Sequence, residues 1–232
     1  MASPLEHSQQ ASRLNALYLK PEILQDVLPR LSQSEREQVL YLWIFEGIPY
    51  AFRDAPMLYG SLRRWISWKL QVPEHEVLLV GSARTGFSFG EFGRAFNNHS
   101  DFDFAIVSES WFLRLRDEFD LWKADFQSDR IKPNSPAEIS HWPDNFKIIP
   151  NNIRRGFITA DLIPNRHRYP DKQFLANAMS SLQRRLAQTE GAPIVRRASL
   201  RIYRDWPSLL RQSKVNLDDI ARQLFISSLR GS

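Results

Sequence analysis

The sequence predicts an α+β fold from three observations. Val77-Leu78-Leu79-Val80 is a short apolar run closed by Gly81-Ser82, the pattern of a buried strand followed by a turn. Asp101-Phe102-Asp103-Phe104-Ala105-Ile106-Val107 alternates. Side chains in a strand alternate faces, so Asp101 and Asp103 share one face and Phe102, Phe104 and Ile106 the other. Around these strands, apolar residues recur at helical spacing. The cleanest stripe is Phe112, Leu115, Phe119, Trp122 and Phe126.

Taken in order, residues 1–20 are polar and mixed, which reads as a flexible or loosely packed lead-in to a single domain over 21–232. Ser34-Glu35-Arg36-Glu37 has the form of a capping box. It opens a helix through Val39, Leu40, Leu42, Trp43, Ile44 and Phe45 that is apolar almost all round and so is expected to be buried. Gly47 ends it, and Pro49 keeps it from resuming. A second helix is expected from about Met57 to Leu70 with the stripe Leu58, Leu62, Trp65 and Ile66. After Gly81-Ser82 comes a Phe- and Gly-rich loop through Gly86, Gly90 and Gly93. It closes on no Gly-Lys-Ser/Thr and lacks dinucleotide spacing.

Ser108 or Ser110 can cap the helix that follows the aspartate strand. Residues 127–156 are rich in Pro, Asn, Asp and Ser and read as a long connection, with short strands at Phe146–Ile149 and Phe157–Ala160. Pro170-Asp171 opens a helix carrying Leu175, Met179, Leu182 and Leu186. Residues 198–204 alternate as a half-buried strand, with Leu200 and Ile202 on one face and Ser199, Arg201 and Tyr203 on the other. Asp205-Trp206-Pro207 begins a short helix, and Asn216-Leu217-Asp218-Asp219 caps a final one with Ile220, Leu224 and Leu229 inward.

Composition narrows the function classes. The chain of 232 residues has no cysteine, which excludes disulfides, thiolate catalysis and cysteine zinc sites. Its net charge of +5 mildly favours polyanionic partners such as nucleotides or nucleic acid. No apolar run has the length of a membrane helix, and the first residues lack the basic-then-apolar order of a signal peptide. A soluble, cytoplasmic protein is therefore expected. The histidines His7, His75, His99, His141 and His167 show no metal-ligand spacing. Arginine pairs recur at 63–64, 154–155, 184–185 and 196–197. Most suit solvated faces, but pairs converging near Asp101 would make a track for a phosphorylated acceptor.

Two carboxylates on one face lie about 6.6–7 Å apart at Cα. They repel each other and are most easily tolerated beside a divalent cation. Gly81 lets a phosphate approach the backbone, and the helical turn after it presents free N–H groups. Ser82 adds a hydroxyl, and Arg84 is close enough in sequence to add a charged donor. A phosphate site joined to a cation site suggests phosphoryl or nucleotidyl transfer.

This arrangement resembles the nucleotidyltransferase superfamily of the DNA polymerase beta type, in which a strand ends in Gly-Ser, a helix follows, and the next strand carries Asp-x-Asp. The matching residues are Gly81, Ser82, Asp101 and Asp103. The resemblance covers residues 76–108 directly and extends by implication to about residue 205. It implies a small mixed sheet flanked by helices, with helical elements added at both ends of the chain. It also implies a nucleoside triphosphate donor held by Gly81 and Ser82, with Arg84 added on the reading above, and two Mg²⁺ ions at Asp101 and Asp103. The acceptor hydroxyl would belong to RNA, a protein or another nucleotide.

The chain departs from that pattern twice. Residues 83–100 form a longer link than in minimal members, a lid or an acceptor-recognition loop. The superfamily's third carboxylate, on a later strand, is unassigned. Asp205 and Asp161 are both candidates, although Asp205 also suits a helix N-cap and Asp161 a surface turn. Without a third carboxylate, nucleotide or nucleic-acid binding as a sensor or regulator is the alternative to catalysis. A scaffold that binds a partner protein through its basic and aromatic surface is a third reading.

Overall fold

The structure, a computed structural model, describes residues 7–230. Among the described residues eight α-helices and four strands follow one another, with short helical turns between them, the α-helices being α1 Pro21–Val27, α2 Gln33–Val39, α3 Pro56–Leu70, α4 Ser82–Thr85, α5 Glu109–Gln127, α6 Pro136–Arg154, α7 Pro170–Ala187 and α8 Trp206–Arg230. The strands are β1 Val77–Val80, β2 Asp101–Val107, β3 Phe157–Thr159 and β4 Arg197–Tyr203. They form one sheet in the order β1-β2-β4-β3. β1 pairs antiparallel with β2, β2 parallel with β4, and β4 antiparallel with β3, so the sheet is mixed.

The alternation in β2 and β4 sets the layers. Phe102, Phe104, Ile106, Leu200 and Ile202 face a core built with α3, α5, α6 and α7. The opposite face changes character along its length. Leu78, Ala105, Val107, Phe157 and Tyr203 are apolar and packed with Leu209 of α8. Asp101, Asp103 and Ser199 lie at the other end of that face, only half-buried. A second apolar cluster joins α1 and α2 to Leu217 and Ala221 of α8.

Several expectations change. Within residues 7–20, Leu14 and Leu19 are buried in the second cluster, so this part of the lead-in is packed; residues 1–6 of the proposed lead-in lie outside the described residues. The capping box is Ser32 with Glu35, not Ser34 with Glu37: Ser32 Oγ accepts from the Glu35 N–H, and Glu35 accepts from the Ser32 N–H at 2.9 Å. The helix then widens over Leu40–Phe45, and Tyr41 and Leu42 are exposed rather than buried.

Phe146–Ile149 is helical, not a strand. Trp142, Phe146, Ile149 and Ile153 recur at three- and four-residue intervals and turn one face of α6 inward. Pro143 and Pro150 inside α6 disguise that period as a loop. The two helices expected after β4 are one, α8. Residues 208–229 contain no Gly or Pro to break it, and Asn216 on its exposed face accepts a bond from Gln212 at 2.8 Å. The Leu229 expected to face inward is exposed.

Candidate functional site

β1 and β2 deliver the two halves of the sequence motif to one place. Val80 is paired with Asp103, so the chain leaves β1 beside that aspartate. Gly81 turns it with φ +68°, a conformation that L side chains rarely adopt. A Cβ on Gly81 would lie 3.2 Å from Asp103 Oδ2. Glycine is thus needed for the turn, and an added Cβ would also press on the carboxylate. The Arg84 and Thr85 N–H groups donate back to the Gly81 carbonyl at 3.0 and 3.2 Å and wind α4. The N–H groups of Ser82 and Ala83 are its first-turn donors.

Gly81, Ser82, Asp101 and Asp103 line one cleft of about 640 Å³ between the polar end of the sheet, the residues 88–100 loop and α8. Arg94, His99, Arg196, Ser199 and Arg201 also line it. The register explains why: β4 lies parallel to β2, with Arg197 beside Asp101, Ser199 beside Asp103 and Arg201 beside Ala105.

The two aspartates have different partners. Ser199 donates to Asp103 Oδ1 at 2.7 Å, while Asp103 Oδ2 faces Gly81 and receives no hydrogen bond from the described residues. Arg196 grips Asp101 with both arms of its fork, at 3.0 Å to each oxygen, and Arg197 stands 3.6 Å away. Arg196's hydrogen bond holds the Asp101 carboxyl below the ordinary carboxylate range. Partial burial works against that, and the charges of Arg196, Arg197 and Arg94 add to it. Asp101 is ionised and already paired.

Arg84 is not brought to this cleft. It is buried, and its Nε and Nη1 donate to the carbonyls of Trp43 and Gly47 at 3.0 and 2.7 Å. It ties α4 to the end of the widened helix that continues α2 and lines a separate pocket with Trp43, Gly47 and Ile48. Burial pushes its pKa down.

Neither candidate third carboxylate reaches the pair. Asp205 caps α8, its Oδ1 accepting from the Ser208 N–H at 2.8 Å. Asp161 pairs with the buried Lys172 at 2.8 Å and lines another pocket with Leu175 and Met179. The position beside Asp103 on the next strand belongs to Ser199. Among the described residues no group of three or more His, Cys, Asp or Glu side chains is placed to hold a metal. The donor set at hand is one unengaged oxygen on Asp103 and two on Asp101 that face Arg196. It fits one divalent cation once Arg196 moves. Asp219 of α8 is a third carboxylate lining the cleft, although it does not group with the other two into a metal-holding set.

The residues 83–100 link is not a free loop. Phe87 is buried, with Phe89 and Phe92 at 5.3 and 5.8 Å between ring centroids. Phe87 bridges Ala95 and closes the link on itself, and its rings pack into the α1–α2–α8 cluster. Ser199 and Arg94 are site residues to which the sequence reading gave no role, and of the arginine pairs it considered for a track near Asp101, 196–197 is the one that converges there. The strand alternation did place Ser199 on the polar face, but Arg196 precedes β4 and only the fold brings it to Asp101. No helix among the described residues is long and apolar enough to cross a membrane. No protein-family model, characterised protein or solved structure matches the chain.

Proposed function

We propose that the protein is a nucleotidyltransferase that moves a nucleotidyl group from a nucleoside triphosphate to a hydroxyl on RNA, a protein or another nucleotide. The observation that supports this reading is the close approach of the Gly81 turn to Asp103, with Gly81, Ser82, Asp101 and Asp103 lining one cleft. Its resemblance to the nucleotidyltransferase superfamily of the DNA polymerase beta type rests on Gly81, Ser82, Asp101 and Asp103 and on the mixed sheet that joins them. Asp101 and Asp103 would hold Mg²⁺, which when bound neutralises triphosphate charge. Ser82 and the first N–H groups of α4 hold phosphate oxygens, and Ser199 fixes the orientation of Asp103. A cytoplasmic location goes with this reading, since nucleoside triphosphates are at hand there.

The test is transfer of label from each α-labelled nucleoside triphosphate, with Mg²⁺ or Mn²⁺, onto RNA, nucleotide and protein acceptors. Product that disappears in Asp103→Asn is expected; full activity in that variant sinks the proposal.

One observation favours a second reading. On the strand beside β2 the residue next to Asp103 is Ser199, not a carboxylate, and Asp101 is already paired with Arg196. A protein that binds triphosphate without turning it over, as a sensor or regulator, fits those two facts. Calorimetric binding of a triphosphate without product under any metal condition would favour it.

A further inference from the structure

Asp101 carries one negative charge and has two suitors. Arg196 holds both of its oxygens, yet the Arg196 side chain is 69% exposed while that of Asp101 is 16% exposed. Apart from its fork on Asp101, the arginine is anchored through its backbone. Its N–H donates to the Ser100 carbonyl at 2.9 Å, and its carbonyl accepts from Gln183 Nε2 at 2.6 Å. The guanidinium can therefore swing without disturbing β4, and it lies in the same cleft as Gly81 and Ser82. The other cations there are differently placed. Arg84 is turned away, Arg94 is paired with Glu91 at 3.4 Å, and Arg201 lies over the Phe157 ring at 5.2 Å. A divalent cation at Asp101 would repel a guanidinium a few ångströms away, and a triphosphate would attract it. An arginine fork matches phosphate oxygens as well as it matches carboxylate.

Resting on the proposed function, we propose that Arg196 is the side chain that receives the nucleotide's phosphates, and that its pair with Asp101 is the resting partner it leaves when a divalent cation occupies that carboxylate. One residue then performs two tasks in turn. Without nucleotide it competes with the cation, and with nucleotide it adds to phosphate binding. Cation and triphosphate are thereby made to bind together.

The test uses the full chain and two readouts that need no turnover. Free Mn²⁺ is followed by electron paramagnetic resonance, and binding of a non-hydrolysable nucleoside triphosphate by calorimetry. Wild type is compared with Arg196→Gln and Arg197→Gln. Both substitutions lie at exposed side chains, and an unchanged thermal midpoint checks that the fold is kept. Arg196→Gln is expected to bind Mn²⁺ alone about tenfold more tightly and the triphosphate about tenfold more weakly. The gain in Mn²⁺ affinity that triphosphate gives the wild type should vanish. Arg197→Gln, which removes a charge but no fork, should shift either affinity by no more than about threefold.

Equal affinities in wild type and Arg196→Gln would overturn the inference and leave the proposed function standing. So would weaker binding of both ligands, which is what a merely structural role predicts. Tighter Mn²⁺ binding with unchanged triphosphate binding would overturn the phosphate role. A wild type that binds neither ligand would bring down the proposed function and the inference with it.

Discussion

Two pairs of acids sit in this molecule, one on α5 and one on β2, and they differ in what their oxygens are left to do. Glu118 and Asp125 are seven residues apart, about two helical turns, so they share the face of α5 turned to α7. Glu118 accepts from the Asp171 and Lys172 N–H groups at 2.6 and 2.8 Å, capping α7 from a neighbouring helix. Burial pushes its carboxyl up, and those two bonds pull it back. Asp125 is fully buried and takes Arg168 at 2.8 and 3.2 Å and the Tyr169 hydroxyl at 3.4 Å. Burial, with the Asp125 charge behind it, pushes Tyr169 up to about 12. On β2 one oxygen of Asp103 is left without a donor, in an open cleft. A buried, charged, well-bonded acid holds the fold together; a half-buried acid with an idle oxygen is the one available to a ligand.

Exchanging the side chains tests that distinction. Asp103→Asn should lower nucleotidyl transfer by about 10²- to 10³-fold while leaving the urea midpoint within error. The amide keeps the acceptor for Ser199 and loses only the charge. A large stability change with activity retained would make Asp103 a structural acid like Asp125.

The reverse is expected on α5. Asp125→Ala should cost about 2–3 kcal/mol, because Tyr169 and Arg168 lose their acceptor and a cavity is left against the helix. Arg168 is half exposed and can recover water, which keeps the loss below that of a fully buried pair. Triphosphate affinity should not change in that variant. Glu118→Gln keeps one acceptor for the two N–H groups of α7 and should cost about 1 kcal/mol by equilibrium unfolding. A loss as large as that of Asp125→Ala would mean that the negative charge at the start of α7 matters more than the bonds.

How far the sequence disclosed this division depends on the range of the interactions. The faces of β2, the stripe of α5 from Phe112 to Trp122 and the Ser108 cap follow from residues near in sequence and are seen, while Phe126 at the end of that stripe is exposed. The Gly81 turn and Asp101–Asp103 were legible for the same reason. Glu118 and Asp125 were not, because these partners lie 43 to 54 positions away and no local pattern marks them, and the 196–197 pair was legible only as a charge pair whose meeting with Asp101, 95 positions away, the fold decides. Arg84 shows the opposite error: it is near Ser82 in sequence, yet the α4 turn points it at carbonyls 37 and 41 residues back. α6 was hidden because proline is a strong local signal for a loop, and tertiary burial of Trp142 and Ile149 overrides it.

Asp205 gives the smallest expected effect and the sharpest choice between the two kinds of acid. Its Oδ1 takes the Ser208 N–H and its Oδ2 takes Arg204 Nε, each at 2.8 Å. The Ser208 side chain does most to hold its carboxyl down at about 2, against the effect of burial, with Arg204 and the Ser208 N–H adding to it. A carboxyl lowered in the folded state stabilises the fold above its unfolded value of about 3.9. That contribution is lost as the pH falls from there toward about 2. Asp205→Asn keeps an acceptor for the start of α8, so its urea midpoint near neutral pH should move little. Between those two pH values the wild type should lose stability faster than the variant. Nucleotidyl transfer should be unchanged, because Asp205 is occupied as a cap. If transfer instead collapsed while the acid sensitivity stayed as in the wild type, Asp205 would be the missing third carboxylate, and its bond to Ser208 would be only the partner it keeps in the absence of a ligand.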